Sequence, residues 1–204
     1  ISARCMRVIA IVLLIAFGYC YFVTDLDITL MIIFFATAIF VALIPTLIIN
    51  VFKFDKSPLT KHIVILCICI ICTIMMTLLS SYSFPIMLFP ILMASLYYNQ
   101  TLVLLASLLV SAGIFVSNVL SIQFKDVFIG NQFDDLYDAL LGYVIPHIVV
   151  VFFMSIVAYF IVQRNSMMIN TAVETAITME NNQKGLIYSF AEISESKSKF
   201  TGEH

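Results

Sequence analysis

Long uncharged runs constrain this chain more than any other feature. From Ile28 to Phe52 no side chain carries a charge and nearly every one is apolar. Crossing the ~30 Å hydrocarbon core of a bilayer takes roughly 17–25 such residues in a helix. A helix is the form that suits them, because it satisfies its own backbone hydrogen bonds where no water is present. The charges fall in clusters between the runs. Hydrophobic residues make up 62% of the chain and charged residues 11%, with a mean hydropathy of +1.10, whereas a soluble domain is about one quarter charged. No small-residue cleavage site follows the first run, so it reads as a span and not as a removed signal peptide. The chain begins Ile1-Ser2-Ala3 and stops on His204, which suggests a piece of a longer product.

Six runs qualify: Met6–Val23, Ile28–Phe52, His62–Ser80, Phe84–Tyr98, Thr101–Leu120 and Ala139–Val162. The fourth is short, carries Pro85 and Pro90, and reaches the fifth through Asn99-Gln100 alone, so a bent span is expected. With the N-terminus inside, the cytoplasmic segments hold Arg4, Arg7, Lys53, Lys56, Lys61, Arg164 and the tail lysines. The outer segments hold Lys125 and collect Asp25, Asp27, Asp126, Asp134 and Asp135. That asymmetry obeys the positive-inside rule only for an even number of crossings. The expected fold is an all-α integral membrane protein of the inner (plasma) membrane with both termini cytoplasmic. Residues 1–162 form a six-transmembrane-helix bundle, 163–193 a cytoplasmic coiled-coil linker helix, and 194–204 the start of a further domain.

Ion-coupled transport normally needs ionisable groups within the spans, and here the middles of all six lack Asp, Glu, Lys and Arg. The titratable group is His147, just after Pro146. It is open to two readings: a ligand contact or pH-sensitive switch, or a histidine bonded to a carbonyl freed by the proline kink. Cys67, Cys69 and Cys72 read as small buried hydrophobes, since only Cys69 and Cys72 share a helix face. Ser107, Ser111, Gly113 and Ser117 form a small-residue stripe that lets another helix approach closely. In the outer loop, Asp134, Asp135 and Asp138 could cap a ligand pocket or gather a divalent cation, or they could form a solvated acidic face.

After Val162 the apolar spacing turns periodic. Ile169, Ala172, Ala176, Met179, Gln183, Leu186, Phe190 and Ile193 step by alternating threes and fours, as the a and d positions of a parallel coiled coil do. Gln183 and nearby Gly185 weaken the seam midway. The expected partners are therefore the lipid bilayer and a second copy of the chain through this helix. A small-molecule or membrane signal of unknown identity is also expected, and no nucleic acid.

The stretch GLIYSFAEISESKSKFTGEH, Gly185 to His204, resembles the opening of HD-GYP-type phosphohydrolase domains. Those begin with a helix ending in a glutamate, matched by Glu195, followed by Thr-Gly-x-His, matched by Thr201, Gly202 and His204. The resemblance implies that His204 is the first ligand of a divalent metal centre (Fe or Mn) in a full-length cyclic di-GMP phosphodiesterase. The other ligands would come from later His-Asp and histidine residues that this chain lacks, so the chain itself is expected to hold no cofactor and to be inactive. Lys197 and Ser198 depart from the family's Arg-Asp, and Phe200 stands where members with three metals carry a carboxylate. The tail is also similar to histidine-kinase dimerisation helices, through Lys197, Ser198, Lys199 and Phe200. A small six-span transporter or substrate-binding subunit is the contrasting class; a heptad linker has no clear purpose there.

Overall fold

A computed structural model describes residues 2–23, 28–52, 58–79, 84–123 and 136–202. Over the described residues the uncharged runs are largely helical. The elements are α1 (Ser2–Val23), α2 (Ile28–Phe52), α3 (Pro58–Leu79), α4 (Phe84–Met87), α5 (Phe89–Ser95), α6 (Gln100–Gln123), α7 (Leu136–Ala139), a π-helical segment (Leu140–Val144) and α8 (Ile145–Gly202). Among the described residues there is no strand, and only Leu88 and residues 96–99 leave the helical state. Stretches within α2, α3, α6 and the Leu136–Glu195 helix are long and apolar enough to cross a membrane. Met6–Phe22 and Phe84–Ser95 are shorter apolar helices.

The prolines set the departures from regular helix. Pro90 stands at the start of α5, where its missing N–H removes the donor that would continue the helix from α4. The chain turns at Leu88, held by Leu88 N–H to the Pro85 carbonyl at 3.2 Å. The expected fourth span is therefore two short helices, and it stops at Ser95. Tyr98 then takes a positive φ of 50°. Asn99 caps α6, its Oδ1 accepting the Leu102 N–H at 3.2 Å. Ahead of Pro146 the chain widens by one residue per turn, the Ile145 N–H reaching back to the Leu140 carbonyl. Widening relieves the crowding that a proline ring imposes on the carbonyl four residues earlier.

The chain divides into two units, Ile1–Val162 and Gln163–His204. In the first, α1 packs on α2, α2 on α3, and α3 on α4, α5 and α6. Its core is built from Phe35, Val64, Ile65, Met76, Leu102 and Ile114, among others. Apolar side chains also cover the outside: Phe22, Phe40, Leu108, Phe152, Phe153 and Phe160 are each more than 60% exposed. A soluble monomer rarely shows such continuous apolar surface, whereas hydrocarbon is its natural solvent.

Hydroxyl groups within the bundle turn back on their own helices. Thr73 Oγ1 donates to the Cys69 carbonyl at 2.9 Å, Thr77 Oγ1 to Thr73 at 2.9 Å and Ser155 Oγ to Val151 at 2.6 Å. Ser111 and Ser117 on α6 do the same. Thr46, beside Pro45 in α2, is an exception; its Oγ1 is buried without a hydrogen-bond partner.

Within the small-residue stripe, Gly113 and Ser117 are buried, and Gly113 meets α3. A Cβ there would overlap Thr73 Oγ1 and lie 3.3 Å from Met87 Cε. The stripe thus serves α3–α6 packing within one chain. Gly113→Ala is expected to destabilise the bundle by about 1–3 kcal/mol, the usual cost of overpacking. The loss should be smaller in a Thr73→Ala background, where the clashing oxygen is gone. Thermal unfolding of the four proteins in detergent checks this, and equal losses in both backgrounds would contradict it.

Candidate functional site

His147 lies in the first turn of α8, three residues beyond the end of the π-helical segment. Its Nδ1 is 2.6 Å from the Tyr143 carbonyl. A carbonyl can only accept, so Nδ1 carries the hydrogen, and in the neutral ring Nε2 is left as the acceptor. The acceptor Tyr143 is one residue on from Gly142, the carbonyl that Pro146 deprives of its regular donor. The imidazole packs between two rings: Tyr143 at 3.8 Å between centroids, tilted by 34°, and Phe84 of α4 at 4.0 Å, edge to face. His147 therefore links the π-helical segment to the broken fourth helix. Nitrogen NMR of the labelled histidine should show a protonated Nδ1 and an unprotonated Nε2 in the neutral state; the reverse tautomer would contradict the geometry.

The other residues singled out are not gathered around it. Asp138 is exposed on α7. Asp134 and Asp135 lie outside the described residues, as do Asp25, Asp27, Lys53, Lys56, Lys125, Asp126 and His204. Cys67, Cys69 and Cys72 are free thiols buried in the core. Among the described residues no three of His, Cys, Asp and Glu come together as metal ligands.

In the second unit the heptad positions fall on continuous helix. Ile169, Ala172, Ala176, Met179, Gln183, Leu186, Phe190 and Ile193 are all exposed. Ala172 and Ala176 leave a shallow apolar dent framed by Met168 and Met179. Glu180 and Lys184, one turn apart, form an exposed ion pair at 2.7 Å, worth a few tenths of a kcal/mol. The helix does not stop at Glu195 but continues to Gly202. No proline interrupts that stretch.

Gly185 sits mid-helix with no neighbour within reach of an added Cβ. Gly185→Ala should stabilise this segment by about 1 kcal/mol. Amide hydrogen exchange over residues 181–189 should slow by about fivefold; unchanged or faster exchange would show that the glycine is not a weak point.

Sequence reasoning missed Phe84 as the ring against His147 and Thr73 as the partner of Gly113. Both follow from which helices pack together, which no local spacing signals. A comparison with protein families, curated proteins and solved structures returns no match to this chain.

Proposed function

We propose that this chain is the membrane-embedded input module of an HD-GYP-type phosphohydrolase, held as a homodimer through α8. In this reading six helical segments cross the inner membrane, with α4 and α5 together as the bent fourth, and both termini are cytoplasmic. The positive-inside distribution supports the even count. The apolar outer surface of the first unit supports the bilayer as its solvent.

One observation carries the reading. A single helix, α8, is apolar over Ile145–Val162, then presents an unburied heptad seam from Ile169 to Ile193, and leads into Thr201-Gly202-Glu203-His204. Five large apolar residues on that seam stand in water in one copy of the chain. Burying such a side chain gains about 1.5–3 kcal/mol, while association costs about 4–15 kcal/mol. A second copy supplies enough buried surface for pairing, and Ala172, Ala176, Gln183 and Gly185 keep the gain small. A coil of modest stability suits a signalling linker, because two arrangements of similar energy can then be biased from the membrane side.

The full-length parent, purified in detergent with Mn²⁺ or Fe²⁺, should convert cyclic di-GMP to a linear product. His204→Ala in that parent should reduce turnover to background without impairing membrane insertion. Absence of both bound metal and product would overturn the reading, and ATP-dependent histidine phosphorylation would assign the module to a kinase instead.

A further inference from the structure

The seam of α8 does not use all the apolar surface that the helix offers. With Ile169 at heptad position a, Val173, Glu180 and Ile187 fall at successive e positions, beside the seam. Val173 and Ile187 are 52% and 67% exposed, as open as the seam residues Met179 and Leu186 at 59% and 60%. These e positions form a row of their own. Combined with the a row (Ile169, Ala176, Gln183 and Phe190), that row makes a second seam, which also steps by threes and fours. The two seams share the a row and differ in its neighbour: Ala172, Met179, Leu186 and Ile193 in the first, Val173, Glu180 and Ile187 in the second. At 3.5 residues per turn such rows lie about 50° to either side of the shared one. Exchanging one seam for the other is therefore a rotation of each helix by about 50° about its own axis, with no sliding.

Charge decides what lies against these rows. In coiled coils the flanking e and g charges set partner choice and orientation. From Ile169 to Ile193 the charged residues are Glu174, Glu180, Lys184 and Glu192, and all but Glu180 stand at b, c or f, away from the first seam. A second copy of the same chain thus meets that seam with little like-charge repulsion. In the dimer proposed above both copies leave the membrane at the same residue, so they meet parallel and level, each residue beside its counterpart. In the first arrangement Glu180 stays at the edge, where it pairs with Lys184 of its own helix at 2.7 Å. In the second it moves into the seam and faces its counterpart, and two carboxylates brought together out of water repel. Val173 and Ile187 on the same row favour that arrangement, so Glu180 is what opposes it.

We propose that α8 has two alternative pairing faces for a second copy of the chain, and that Glu180 holds the pair on the first. The proposal rests on the dimer reading above and specifies its regulation: a turn of α8 by about 50° carries the dimer from one face to the other. Gln183 lies on the shared row, where its amide can hydrogen-bond its counterpart in both arrangements and keep the copies level.

The test uses the full chain in native membranes. Ala172→Cys, Val173→Cys, Leu186→Cys and Ile187→Cys are introduced one at a time, oxidised, and read by mass spectrometry of the disulfide-linked peptides, which separates these links from any made by the native thiols. Positions 172 and 186 should cross-link severalfold more than 173 and 187. Glu180→Leu should reverse that preference. Glu180→Gln, which removes the charge at nearly constant shape, should move the ratio severalfold in the same direction. Ratios unchanged in both variants overturn the proposal, as does equal cross-linking at all four positions in the chain that keeps Glu180. Absence of linked dimers at all four positions overturns the dimer reading, and the two faces with it.

Discussion

Hydrogen-bond saturation without water is the constraint on which the rest of the bundle depends. In hydrocarbon an unpaired donor or acceptor costs several kcal/mol, and this chain meets most of that demand locally, Thr46 Oγ1 being an exception. Backbone groups close within helices, and Thr73, Thr77, Ser117 and Ser155 bond carbonyls three or four residues back on their own helices. Because polar groups are spent within a helix, few are left to fasten one helix to the next. Packing does that work instead, most closely where Gly113 lets α6 approach Thr73 on α3.

Prolines interrupt that saturation, and the irregular features collect around them. Pro90 breaks the fourth helix, and Pro146 sits against the π-helical segment. His147 touches both places, with its Nδ1 on the Tyr143 carbonyl and its ring against Phe84. A single imidazole thus ties the start of α8 to α4.

Much of this was legible in the residues and some was not. The uncharged run Ile28–Phe52 is α2, residue for residue, because charge and length alone decide where a helix can lie in lipid. The bend at Pro85 and Pro90 was legible as well; the helix is interrupted at Leu88, which keeps αR dihedrals, since two prolines five residues apart deprive successive turns of their donors. The π-helical segment was not legible: Pro146 signals a disturbance, but whether the chain kinks or widens depends on neighbours such as Phe84. The small-residue stripe announced a close helix approach without saying which helix makes it. The helix of the second unit was legible, because an unbroken run without proline is a local signal that needs no tertiary partner within one chain.

The central claim is that one helix serves the bilayer at its start and a second copy of the chain at its end. A cysteine scan over residues 166–195, oxidised in native membranes, measures this most directly. Disulfide-linked dimers should peak at alternating intervals of three and four, with maxima at positions such as 172, 176, 179 and 186 and minima at 174, 178 and 181. A flat profile, or maxima on the opposite face, would contradict the account.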